Sequence, residues 1–188
     1  MLTEISLNVI DIARNSVRAE ASLVEIAISV NSHTHELTLR ISDDGKGMTP
    51  EQLASVEDPF FTSRKTRSVG LGIPFLKQAA EITGGTFHID SQVGVGTNVI
   101  ATFRQDNIDC MPLGDINSSI HTLVTSTSEE IDYLYTYEVD GRSFSLDTRE
   151  FKEIVQGVPL YEPEISSFIR SFLDENKREV DGKTEEEN

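Results

Sequence analysis

Apolar positions recur at helical spacing from the start of the chain: Ile5, Val9, Ile12 and Ala13 form one stripe over residues 2–19, with no Gly or Pro to interrupt it. The segment is predicted as a helix, with Thr3 or Ser6 available as its cap. A polar stripe runs beside the apolar one, because Asn8, Asp11, Asn15 and Arg18 are three and four residues apart and share a face. Such a stripe is either a solvated helix face or the wall of a pocket. Residues 23–30 and 36–42 are β-branched and apolar around the polar tip Asn31-Ser32-His33-Thr34-His35, which predicts a hairpin. A short helix over 50–56 opens with Pro50 at a first-turn position. A longer one over 73–82 offers Phe75, Leu76, Ala79, Ala80 and Ile82 to a core and stops at Gly84-Gly85. Strands over 86–91 and 98–103 are joined through Gly94-Val95-Gly96-Thr97. The fold class is α+β, a two-layer sandwich in which helices cover a mixed, mostly antiparallel sheet.

The second half has its own pattern. Leu113, Ile116, Ile120, Leu123 and Val124 give a helical stripe, with Asp115 as an early-turn acid. Ile131, Tyr133, Tyr135, Tyr137 and Val139 alternate strictly, and Asp140-Gly141 turns the chain into a second strand over 142–146. Helices are predicted over 150–155 and 164–173, separated by Gly157-Val158-Pro159. From Asn176 onward the chain is charged and poor in apolar residues, which predicts disorder. The division that results is a domain over 1–104, a small α/β extension over 105–175 with no motif of its own, and an acidic tail over 176–188.

Two stretches carry candidate chemistry. The strand over 36–42 runs into Asp43-Asp44-Gly45-Lys46-Gly47-Met48, a glycine-rich turn at a strand end. Further on, Phe60 and Phe61 anchor a cationic run with Arg64, Lys65 and Arg67, which ends in Gly70-Leu71-Gly72 directly before a helix. Backbone at glycine approaches a ligand closely, and the free N–H groups of a first helical turn attract an anion. The run therefore reads as a mobile lid over a polyphosphate, although a glycine pair before a helix is more often an ordinary loop.

Composition narrows the functional classes. The chain has 188 residues, 37% of them hydrophobic, which suits one domain with an appendage. No apolar run approaches the length that crosses a bilayer, the N-terminus lacks a secretory pattern, and Cys110 is the single cysteine; the expectation is a cytoplasmic protein. The net charge of -16 is uneven: residues 1–103 hold 8 Lys+Arg against 12 Asp+Glu, and residues 104–188 hold 8 against 20. An acidic surface repels nucleic-acid phosphates and anionic lipid, so neither is expected as a partner.

The order of motifs resembles the GHKL superfamily of ATPases and kinases, whose nucleotide domain is the Bergerat fold. Residues 11–19, with Asp11, Asn15 and Arg18, look like the N box. Asp43-Asp44-Gly45-Lys46-Gly47-Met48 looks like the Asp-x-Gly-x-Gly-Met block. The segment from Asp58 to Lys65 is similar to the F box of sensor histidine kinases, Gly70-Leu71-Gly72-Ile73 follows it, and Gly94-Val95-Gly96-Thr97 closes the series. The resemblance implies ATP and Mg²⁺ as ligands. Asp43 would accept a hydrogen bond from the adenine amine, with Gly45 and Gly47 bending under the base, Met48 against it and Thr97 joining through water. Asn15 would bind Mg²⁺ through its amide oxygen. Arg18, Lys65, Gly70, Leu71 and Gly72 would face the phosphates. Arg18 stands where the gyrase, MutL and ninety-kilodalton heat-shock chaperone branches usually have an acid, which favours the kinase side. Asp11 stands where hydrolytic branches and anti-sigma-factor serine kinases place a Glu that activates the nucleophile. One methylene shorter, it is open to a catalytic role or to a structural one behind the metal.

The chain begins almost at the N-box helix, so the helical hairpin that carries the phosphoacceptor His of sensor kinases is expected to be absent. His121, on a predicted helix, lacks any acceptor motif around it. The leading expectation is a magnesium-dependent, stand-alone kinase acting on Ser, Thr or His of a protein partner in signalling. The alternatives are an ATP-driven conformational switch without phosphotransfer, and a slow ATPase.

Overall fold

The computed structural model describes residues 4–56, 72–126 and 131–182. Its six strands form one sheet in the order β3-β4-β2-β1-β5-β6. β1 (Leu23–Asn31) and β2 (Glu36–Asp43) are the expected hairpin; β4 (Gly96–Arg104) pairs with β2, and β3 (Phe87–Gln92) with β4, all antiparallel. On the other side β5 (Asp132–Val139) pairs with β1 in parallel, and β6 (Arg142–Asp147) pairs with β5 antiparallel. Burial alternates along the strands, as period-2 sequences require. Val24, Ile26 and Ile28, then Leu37, Leu39 and Ile41, then Val99, Ala101 and Phe103, then Tyr133, Tyr135 and Tyr137 form the covered face.

Helices lie over that face. α1 (Ile5–Arg18) packs between α3 (Gly72–Ile82) and α4 (Ile116–Ser126), and α6 (Pro163–Val180) packs on α4, β5 and β6. The short helices α2 (Pro50–Val56) and α5 (Thr148–Ile154) stand beside β3 and β5. The architecture is the expected α+β one, a mixed and mostly antiparallel sheet covered by helices.

Several expectations change in detail. Ser6 lies inside α1 instead of capping it; Glu4 is the N-cap residue, without a side-chain cap bond, and Thr3 lies outside the described residues. The first amides of the helix are satisfied from elsewhere in the chain: Ile5 N–H donates to the carbonyl of Pro112 at 3.0 Å and Ser6 N–H to that of Leu113 at 2.9 Å. Because that stretch is used as a cap, α4 starts at Ile116, later than its apolar stripe suggested. Asp115 then precedes the helix and accepts from Ser118 N–H at 2.9 Å.

The sheet crosses the boundary drawn at 104 and 105, since β5 is in register with β1 along eight positions from Leu23↔Asp132 to Val30↔Val139. Helix α6 continues past Asn176, where disorder was expected. Its last turns are held by burial of Val180 and by Asp181, which accepts from Tyr137 Oη at 2.8 Å and pairs with Lys177 Nζ at 2.6 Å. The end of the predicted tail, residues 183–188, lies outside the described residues.

Candidate functional site

A cavity of about 500 Å³ opens between α1, α2 and the adjoining ends of β2 and β4. Asp43 is the last residue of β2, opposite Val24 of β1 and Thr97 of β4. Its carboxylate accepts a 2.6 Å hydrogen bond from Ser16 Oγ, on the buried side of α1, and a 3.0 Å bond from Gly45 N–H. One donor per oxygen fixes the orientation of the group, and each oxygen keeps lone pairs for a ligand. Asp44, next along, turns away to the start of β1, accepting from the N–H groups of Ser22 at 2.7 Å and Leu23 at 2.9 Å and from the Ser22 hydroxyl. Burial pushes its pKa up, but these donors outweigh it and the carboxyl sits below the usual range.

Glycines shape this corner through contact with the protein's own backbone. Gly47 has φ +65, and a Cβ there would lie 1.9 Å from the Gln92 carbonyl oxygen; Gly96 has φ +132, and its Cβ would lie 1.9 Å from that of Asp43. Any side chain at either position separates the turn from the hairpin it rests on. A Cβ on Gly45 would meet the Ala19 carbonyl at 2.8 Å, so the bend expected under a ligand is also required by the end of α1.

The structure gathers half of the twelve expected residues, six of the nine that are described, around one opening. Asn15, Arg18, Asp43, Gly47, Met48 and Thr97 all line the cavity, together with the apolar side chains Ile12, Ile41, Val56, Ile73 and Val99. Arg18 Nη1 donates to Asn15 Oδ1 at 3.3 Å. Asp11 is exposed one turn before Asn15 and is not a lining residue; its Cβ lies 3.1 Å from where a Cβ of Gly72 would stand, so Gly72 lets α1 and the start of α3 approach. Gly45 stands behind the wall. Asn8 departs from the polar stripe: it is fully buried, donates to the Glu4 carbonyl at 3.2 Å and borders a separate cleft with Phe75 and Met111. Lys65, Gly70 and Leu71, with Phe60, Phe61, Arg64, Arg67 and the lid built on them, lie outside the described residues. His121 has its Nε2 3.0 Å from the Ser166 carbonyl oxygen and 2.9 Å from Ser166 Oγ, which ties it to α6.

Two polar residues that sequence reasoning did not single out complete the corner. Ser16 follows Asn15, and one helical step turns it from the cavity mouth toward the sheet. Ser91 continues the inward face of β3 after Phe87 and Ile89, a hydroxyl at an apolar position of a period-2 strand, and that break in pattern was the available signal.

The family described as histidine kinase-, DNA gyrase B- and HSP90-like ATPase matches residues 1–107, a segment that contains all of the expected site residues. The autoinducer sensor kinase/phosphatase CqsS of Vibrio cholerae is 28% identical over 99 residues, 53% of this chain and 14% of its own length. Sporulation kinase B of Bacillus subtilis is 31% identical over 107 residues, 55% of this chain and 24% of its own length. Heme sensor protein HssS of Staphylococcus saprophyticus is 34% identical over 84 residues, 44% of this chain and 18% of its own length. The chain thus spans about a quarter or less of these relatives. A crystal structure of the N-terminal domain of a DNA repair protein superposes with a TM-score of 0.56 at 13% identity, over 78% of this chain and 53% of that one, a likeness of fold that reaches beyond residue 107.

Proposed function

This chain belongs to the histidine kinase-, DNA gyrase B- and HSP90-like ATPases, and we propose that it binds Mg-ATP in the cavity beside α1 and passes the γ-phosphoryl group to a protein partner. The observation that carries the reading is that the Asp43 carboxylate and the Asn15 amide, far apart in sequence, line the same opening of about 500 Å³. The adenine amine is a donor suited to the lone pairs of Asp43, and Met48, Ile41 and Val99 offer apolar contact to the base. The phosphates then run toward Arg18 and Asn15, and onward to the segment with Lys65, Gly70, Leu71 and the start of α3 at Gly72. The N–H groups of that first turn favour negative charge.

The donor set fits magnesium held mainly by phosphate and water. The Asn15 Oδ1 is a neutral hard oxygen on the cavity wall, and no cluster of three or more His, Cys, Asp or Glu among the described residues offers a protein cage instead. Asn15 would hold the metal, which would neutralise part of the phosphate charge. Arg18 would release Asn15 and turn to the phosphates. Asp11, exposed one turn from Asn15 and against the first residue of α3, would be the group that accepts a proton from an incoming hydroxyl.

A protein partner is supported by the second half. Ile154, Val158, Tyr161 and Phe168 are exposed on α5, α6 and the turn between them, on the half that holds most of the acidity, which favours a basic protein surface over nucleic acid or anionic lipid. No helix among the described residues is long and apolar enough to cross a membrane. Titration with ATP and Mg²⁺, then incubation with labelled ATP and candidate partners, tests the proposal. Wild-type protein that does not bind ATP sinks it, and label that never reaches a Ser, Thr or His sinks the kinase part.

The alternative, an ATP-driven switch, draws on the bonds from Ile5 and Ser6 to Pro112 and Leu113, which join the site helix to the second half. It predicts that ATP changes the hydrogen-exchange rates of those two amides without phosphotransfer. Equal rates with and without nucleotide count against it.

A further inference from the structure

Ser91 stands opposite Thr97 in the β3–β4 pairing, and its hydroxyl has three polar neighbours. Met48 N–H donates to Ser91 Oγ at 2.9 Å, Ser91 Oγ lies 3.0 Å from the carbonyl oxygen of Gly96, and it lies 2.9 Å from Thr97 Oγ1. A hydroxyl has one proton and two acceptor sites. The Gly96 carbonyl cannot donate, so the Ser91 proton belongs to it. The Met48 amide cannot accept, so it uses one acceptor site of Ser91. The remaining site can be met only by the proton of Thr97. This assignment satisfies all three contacts, and it leaves Thr97 with lone pairs alone to show the cavity.

Thr97 is also the strand partner of Asp43, whose carboxylate offers only acceptors once Ser16 and Gly45 have donated to it. That corner of the cavity is therefore built of acceptors. A purine with an amine at its 6-position presents donors there, and a water molecule can supply the donor that its ring nitrogen needs. A purine with a 6-oxo group still has a donor at its protonated ring nitrogen, but at the 6-position it presents an acceptor to acceptors, and only a hydroxyl free to donate there could relieve that mismatch.

We propose that Ser91, by holding the Thr97 proton away from the cavity, makes the site select 6-amino over 6-oxo purine nucleotides. Ser91 is a positioning residue in this scheme, and the inference rests on the nucleotide reading above. The test measures equilibrium binding of ATP and of inosine triphosphate, by calorimetry with Mg²⁺, in the full chain. Wild type is expected to favour ATP on the order of a hundredfold, since each unmatched polar contact in a buried site is worth roughly tenfold or more.

Ser91→Ala frees the Thr97 hydroxyl to rotate and donate to a 6-oxo group. Inosine triphosphate should then bind more tightly than to wild type, and the preference should fall about tenfold. Ser91→Thr, which keeps the hydroxyl, should retain the wild-type ratio. The double variant Ser91→Ala with Thr97→Val has no proton to offer and should not gain affinity for inosine triphosphate. A purely structural role weakens both nucleotides alike, and that result overturns the proposal, as does Ser91→Thr behaving like Ser91→Ala. Should Ser91→Ala fail to fold, the wild-type ratio still decides, because equal binding of the two nucleotides refutes the selection while leaving nucleotide binding intact. Wild-type protein that binds neither nucleotide refutes the underlying reading instead.

Discussion

Replacing Asp43 by Asn separates the two tasks of that side chain. In the fold it accepts from Ser16 Oγ at 2.6 Å and from Gly45 N–H at 3.0 Å. An Asn carbonyl still serves the Gly45 amide, and the Ser16 hydroxyl can reverse and accept from the new NH₂ group, so both contacts survive as neutral bonds. The loss is the charge-assisted part of these two bonds, about 1–2 kcal/mol of stability. The ligand side has no such remedy. The second proton of the NH₂ group points where the purine amine donates, which removes a charged acceptor and adds a donor facing a donor. Together these cost about 3 kcal/mol, roughly a hundredfold in ATP affinity. Urea denaturation gives the first quantity and calorimetric titration with ATP the second. A variant that binds ATP within about fivefold of wild type refutes the placement of the base, and a stability loss above about 3 kcal/mol shows that the carboxylate is chiefly structural.

Gly47→Ala should lower stability by about 3 kcal/mol or more, read as a fall in melting temperature, because φ +65 and a Cβ 1.9 Å from the Gln92 carbonyl oxygen combine strain with a backbone clash. Gly94→Ala, at φ +75 but in open space, should lose much less, and equal losses would refute the clash argument. Acid should destabilise the protein through Asp115, Asp140 and Asp147, whose pKa values are held down first of all by the Ser118 hydroxyl, the Ser32 hydroxyl and the Arg149 guanidinium. A carboxyl with a lowered folded-state pKa adds stability that is complete above its ordinary value of 3.8 and is lost as pH falls through the folded value. The urea midpoint should therefore hold from neutral pH down to about pH 5 and drop below about pH 4; a midpoint that rises on acidification contradicts the sign. Ending the chain after Asn107 should prevent cooperative folding, since it bares the β1 edge along its eight registered positions and removes the acceptors of Ile5 and Ser6. A fragment that melts cooperatively by circular dichroism overturns this.

The strands and most helices were legible because their apolar residues keep a strict period, most plainly Tyr133, Tyr135 and Tyr137 on β5. The gathering of residues around the cavity was legible for a different reason: Asn15, Asp43 and Thr97, which line it, sit in ordered blocks that resemble a known series of motifs, whereas Asp11 from the same series stands outside the lining. What stayed hidden depended on partners distant in sequence. Nothing local in Glu4 to Ser6 says that the cap of α1 arrives from Pro112 and Leu113, and nothing in the alternation of β5 says that it runs parallel to β1 in the same sheet. Ser16 and Ser91, one buried and one half-buried, escaped notice because an inward-facing hydroxyl is recognised by what it bonds to. The charged run after Asn176 misled because composition cannot register that Lys177 and Asp181 neutralise each other beside Tyr137, where Lys177 Nζ sits 4.7 Å above the ring.

Helix α1 has its first amides fastened to Pro112 and Leu113 and its last turn, with Asn15 and Arg18, at the cavity mouth. Fourteen helical residues make a stiff rod about 20 Å long. A tilt imposed at one end must appear as a displacement at the other. One element thus spans from a contact between the two halves of the chain to the mouth of the cavity.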